Sequence, residues 1–166
     1  MIQPRCLLAF SLLCLSPMAR SGDIVPKDGR FDFNFCMVAD IVHLPLTDKT
    51  GIGHFTMSAA IHSNLPNGPF DRQSSTCAGT YSSTERRYIE SGFCLNSDPD
   101  GDKWILKWTA NPDGDVLTGT WTAAGGTGKY ERLTASGSYK PVALIPPGPT
   151  GRIARCNNNT GTYALR

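Results

Sequence analysis

The chain has 166 residues, carries 16 Lys and Arg against 14 Asp and Glu, and is rich in glycine (17) and proline (12). That length suits one domain, and the turn-forming residues favour many short elements over long helices. Near-balanced charge with no basic stripe excludes a nucleic-acid binder.

Residues 1–21 read as a signal peptide. Arg5 gives a short positive start, Cys6 to Leu15 form an apolar core, and Ala19 and Ser21 supply small residues before a cut at Gly22. A membrane-spanning helix needs about twenty apolar residues, and this run is half that, so no membrane span is expected. Cleavage removes Arg5 and Arg20 but no acid, which leaves fourteen bases facing fourteen acids. The expected location is secreted or periplasmic.

Beyond the signal, apolar and polar residues alternate with period two between Gly, Pro, Asn and Asp, the pattern of strands and turns. Phe31, Phe33 and Phe35 alternate with Asp32, Asn34 and Cys36 and run on to Ala39. Phe55, Met57, Ala59 and Ile61 form a second strand, followed by a turn-rich loop over Asn64–Pro69. Further strands are expected at Thr76–Ser82 and Arg86–Leu95. The next turn, Ser97–Asp102, contains an Asp-Gly pair, whose glycine accepts the positive φ of a tight hairpin. Lys103–Ala110 places Trp104, Leu106 and Trp108 on one face, and Asn111–Asp115 repeats the turn chemistry. Strands at Asp115–Ala123, Lys129–Leu133 and Thr134–Val142 complete eight. Turns at this spacing indicate an all-β sandwich or closed barrel. Residues 22–145 are therefore assigned to the β-domain, and 146–166 to a Pro/Gly-rich C-terminal arm that contains the polar run Asn157-Asn158-Asn159.

Cys6 and Cys14 leave with the signal, so Cys36, Cys77, Cys94 and Cys156 remain. An even number in an exported domain reads as two disulfides with three possible connectivities. Cys77–Cys94 across neighbouring strands, with Cys36–Cys156 pinning the arm to the first strand, is the favoured pairing. Zinc is set aside because no Cys-x-x-Cys pair occurs and His43, His54 and His62 lie far from these cysteines.

Between Cys77 and Val142 the order of Glu90-Ser91-Gly92-Phe93-Cys94, Asp98-Pro99-Asp100-Gly101-Asp102-Lys103, Gly125-Gly126-Thr127-Gly128-Lys129-Tyr130 and Ser136-Gly137-Ser138-Tyr139 resembles small exported bacterial proteins similar to the allene oxide cyclase and dirigent barrels. About 65 residues carry the resemblance. It implies a single eight-stranded antiparallel, calycin-type barrel, whose interior either fills with side chains or holds one small ligand. It carries no working residues over to this chain, and a fold by itself supplies no function.

Candidate sites follow from residue types. Asp98, Asp100 and Asp102 could hold a calcium ion, but their glycine falls fourth in the run and Thr109 stands where an EF-hand needs a glutamate. The same residues are ordinary turn formers. Asp113 and Asp115 form a weaker second cluster. The histidines read as surface or rim residues, since no Gly-x-Ser-x-Gly elbow accompanies them. Trp104, Trp108, Trp121 and Tyr139 are either plain core or the lining of an apolar cavity, with Glu90 the isolated acid beside it. No cofactor is called for, and oligomerisation stays open. The leading expectation is a non-enzymatic barrel that binds a small hydrophobic molecule or serves the envelope structurally. The alternative is an enzyme that steers cyclisation or coupling of a reactive molecule by confinement.

Overall fold

The computed structural model describes residues 25–84, 87–113, 116–145 and 152–166. The expected signal peptide, residues 1–21, and the Pro146–Pro149 segment lie outside them. Eight strands run in chain order: β1 (Asp28–Thr47), β2 (Thr50–Ser63), β3 (Gln73–Thr84), β4 (Arg87–Ser97), β5 (Lys103–Asp113), β6 (Val116–Gly126), β7 (Thr134–Ile145) and β8 (Ile153–Ala164). Each pairs antiparallel with the next, and β8 returns to β1, closing a barrel with no free sheet edge along the shared ladder. Among the described residues no helix is long and apolar enough to cross a membrane.

Closure follows from the period-two pattern, because alternate side chains of a strand point to opposite faces. Along β1, Phe31, Phe33, Phe35, Met37 and Ala39 are buried in the lumen, while Cys36, Val38 and Asp40 face outward. On β5, Trp104, Leu106 and Trp108 point inward in the same way. Both disulfides form as expected. Cys36–Cys156 joins directly opposed residues of β1 and β8, and Cys77–Cys94 joins opposed residues of β3 and β4.

Two expectations are corrected. Lys129–Leu133 is not a strand, since Gly128–Tyr130 is a 3-10 turn. Gly128 takes φ +54, and successive bonds from Tyr130 N to Thr127 O and Glu131 N to Gly128 O wind the chain back on itself. A left-handed glycine and short-range bonds override a brief alternation here. The eighth strand comes instead from the expected arm. Ile153–Ala164 pairs with β1 from Asp28↔Ala164 to Ala39↔Ile153 and with β7 on its other side.

One end of the barrel is plugged. Phe70, from the β2–β3 loop, packs its ring 4.7 Å from that of Trp104 and against Phe31, Tyr130 and Tyr163. Beneath it Trp104 Nε1 donates to Gln73 Oε1 and Gln73 Nε2 donates to the Tyr130 hydroxyl, each at 2.8 Å. Every buried polar atom in that chain finds a partner, while Asn96 Oδ1, on the β4 residue opposite Trp104, has none among the described residues. At the opposite end β1 and β2 continue beyond Ala39, past the last β8 pairing. That end is the mouth.

Candidate functional site

The lumen changes character along its axis. Near the plug it is filled by aromatic rings, with Phe31, Phe33, Phe70, Trp104 and Trp121 in mutual contact. Toward the mouth it turns polar. Glu90 on β4 and Arg155 on β8 sit on opposite walls of the eight-stranded barrel, and Arg155 Nη2 reaches Glu90 Oε1 at 3.0 Å. Both are well buried, with side-chain exposures of 5% for Glu90 and 14% for Arg155. The second carboxylate oxygen of Glu90 accepts from the Tyr88 hydroxyl at 2.8 Å. An ion pair thus spans the lumen as a bar.

Inside this bar lies a cavity with about 30 Å³ of space for water. About 10–15 Å³ of such space admits one water, so the cavity has room for little more than one or two. Three polar atoms among its lining residues are buried with no hydrogen-bond partner among the described residues: Trp108 Nε1, Tyr139 Oη and Asn157 Oδ1. Buried polar groups are nearly always paired, and an unmade bond costs about 1–3 kcal/mol. Three orphans around one void describe a place that a bonding partner completes. Nearby, Asn159 is engaged, taking the Trp121 Nε1 hydrogen at 3.1 Å and donating to Asn157 O at 3.2 Å.

The hydroxyls of this region are donors that stay neutral. Burial pushes the Tyr139 phenol well above its usual range, and the charge of Glu90 adds to the shift. Tyr88 is raised for the same two reasons, helped by its hydrogen bond to Glu90.

Of the expected cavity residues, Glu90, Trp108, Trp121 and Tyr139 are brought together around this void. Trp104 is not; it is fully buried in the plug. Arg155, Asn157 and Asn159 were missed. Their polar character marks them as a solvated tail when read in sequence, and only the strand pairing of β8 turns them inward. Met37 and Met57, which also line the void, carry only the strand alternation in sequence.

The aspartate turn is occupied by a lysine. Asp98 accepts the backbone N–H groups of Asp100 and Asp102, and the Lys129 ammonium sits 2.5 Å from Asp98 and 2.6 Å from Asp100. Asp102 accepts the backbone N–H of Lys129 at 3.1 Å. Burial opposes the charge on Lys129, but its hydrogen bonds to Asp100 and Asp98 outweigh that and raise its pKa. Among the described residues no group of three or more His, Cys, Asp or Glu is placed to hold a metal ion. Asp115 lies outside the described residues. His43 shares a 2.7 Å hydrogen bond with the Tyr81 hydroxyl near the mouth, His62 pairs with Asp71 at 3.0 Å, and His54 is exposed.

Breaking the lumenal bar has a clear cost. Arg155→Met strands the Glu90 carboxylate in the barrel, and an uncompensated buried charge costs about 3 kcal/mol or more. Adding Glu90→Gln to Arg155→Met removes that charge, so the double variant is expected to recover most of the loss in urea denaturation. If the double variant is as unstable as the single one, the pair is not a buried charge pair in solution.

No protein-family model matches the chain, and no curated protein matches it. A solved structure does: the pterocarpan synthase dirigent protein GePTS1 is 13% identical, with a TM-score of 0.50 over 91% of this chain and 98% of that one. The likeness is one of fold, and it places this chain among barrels of the dirigent shape.

Proposed function

We propose that this barrel is an exported binding protein for one small, largely apolar molecule carrying a polar group, held in the mouth-side half of the lumen. The supporting observation is the set of three unpaired buried atoms, Trp108 Nε1, Tyr139 Oη and Asn157 Oδ1, around a void whose walls also carry the apolar Phe35, Met37, Met57 and Leu106. Unmatched polar groups around a void call for a bonding partner, and the polar group of a small ligand would supply one. The two disulfides fit an oxidising compartment.

Native mass spectrometry of protein purified gently from its own compartment tests this directly. A retained small molecule at one per barrel is the expected result. A bare protein whose melting temperature no small amphipath raises would remove the binding reading and leave a purely structural role.

A second reading is favoured by Glu90 itself. A buried carboxylate, fixed by Arg155 and Tyr88 beside a void, can hold a reactive molecule in one orientation, and the dirigent-type fold is compatible with such guidance. Incubation with candidate precursors separates the readings. A binder returns its ligand unchanged, while an enzyme returns a different molecule and loses that conversion in Glu90→Gln.

A further inference from the structure

The lumen contains a second void of about 60 Å³ on the mouth side of the first, reaching Ile41 and Ile153 at the rim. Both voids are lined by Met37, Met57, Glu90 and Arg155. These four side chains are therefore the partition between them. Glu90 and Arg155 are pinned, bonded to each other and, through Glu90, to Tyr88. The methionines are different. An unbranched thioether with three rotatable bonds adapts to what is placed beside it. In the β1–β2 register Met37 stands opposite Ala59 and Met57 opposite Ala39, so each faces the smallest side chain a strand can offer apart from glycine.

Resting on the binding reading above, we propose that the two voids are halves of one ligand channel and that Met37 and Met57 set the length of molecule it admits. The occupant is a slender, neutral amphipath that enters polar group first. Its hydroxyl or carbonyl meets the unpaired atoms at the inner end, and its apolar tail lies between Met37, Met57 and the rim. Neutrality follows from the lining. Its charged members are Glu90 and Arg155, which already satisfy each other. A carboxylate would be buried beside Glu90 with no free cation to meet it.

Straight-chain alcohols from 1-butanol to 1-octanol, with octanoate as the charged counterpart, serve as probes in calorimetric titrations of the full mature chain. Affinity is expected to rise about fourfold per methylene and then to level off where the channel is full. Met37→Leu and Met57→Leu keep the volume but branch the side chain, a change that cores tolerate well. In these variants the plateau should arrive at a shorter alcohol while 1-butanol binds within about twofold of wild type. The Met37→Ala, Met57→Ala double variant should push the plateau to longer ones. Tyr139→Phe should weaken every alcohol by a similar factor, about fivefold. The same length dependence in wild type and all methionine variants overturns the channel. Octanoate binding as tightly as 1-octanol overturns the neutral head group alone. Failure of every alcohol to bind removes the binding reading, and this inference falls with it.

Discussion

Raising the pH from 10 toward 12 is expected to unfold the barrel, with stability falling by roughly 3–4 kcal/mol per pH unit. In an unfolded chain a tyrosine ionises near pH 10. Inside the barrel Tyr88, Tyr130 and Tyr139 are held protonated well beyond that. Burial is the largest cause for all three, followed by the charge of Glu90 for Tyr88 and Tyr139 and of Asp98 for Tyr130. Above pH 10 the folded state therefore keeps three protons that the unfolded state has released. Stability then falls as pH rises, at about 1.4 kcal/mol per unit for each group. Lys129 acts in the same direction, since its raised pKa makes its contribution complete below 10.5 and lost above. Below pH 10 none of these groups gives the stability curve a slope. A domain with about 5–15 kcal/mol in total is exhausted within a few units. Urea denaturation at pH 9, 10, 11 and 11.5 measures the slope. Tyr139→Phe gives the sharper check: its hydroxyl has no partner, so the variant should be about 1–3 kcal/mol more stable than wild type near pH 8 and lose one proton's worth of slope above pH 10. A wild-type slope below that of one proton would show that the lumenal phenols are reached by hydroxide without unfolding.

The alternation that made β1, β2 and β5 readable in sequence is strongest where the inward residues are apolar. Phe31, Phe33 and Phe35 on β1 and Trp104, Leu106 and Trp108 on β5 announce both the strand and the face it buries. β8 is just as regular, yet its inward positions include Arg155, Asn157 and Asn159, so the rule that apolar means inside reads it as a tail. The same three residues carry the polar half of the lumen. A site that must bond something cannot also advertise itself by hydrophobic periodicity, which is why sequence reasoning found the fold more readily than the site. Cys156 was the one residue in that stretch whose chemistry required it to return to the body of the protein. Glu90 was legible for the opposite reason, as the one isolated acid on an expected strand. Trp104 shows the limit of composition: its indole looks no different from that of Trp108, and only the bond to Gln73 places it in the plug.

Removing the Cys36–Cys156 disulfide by the paired change Cys36→Ser, Cys156→Ser is expected to cost about 5 kcal/mol, and removing Cys77–Cys94 by paired alanines about 3 kcal/mol through the unfolded chain alone. The difference comes from the unfolded chain. The first bridge closes a separation of 120 residues and the second one of 17, so the first restricts the denatured ensemble more. Native packing argues the other way. Cys77 and Cys94 are each only 2% exposed, and Cys94 lines the inner void, whereas Cys36 lies on the outer surface. Replacing the inner pair should therefore also open space in the core, at a cost of about 1 kcal/mol per lost group. The ranking of the two variants thus decides which state the bridges act on. Guanidinium titration of each oxidised variant, with the slope monitored for changes in the denatured state, gives both losses on one scale. A greater loss for the outer pair means that joining β1 to β8 stabilises the barrel by limiting how far the chain ends can separate. A greater loss for the inner pair would mean that the lumen itself is held in shape by Cys77–Cys94, and that bridge would then belong to the binding site.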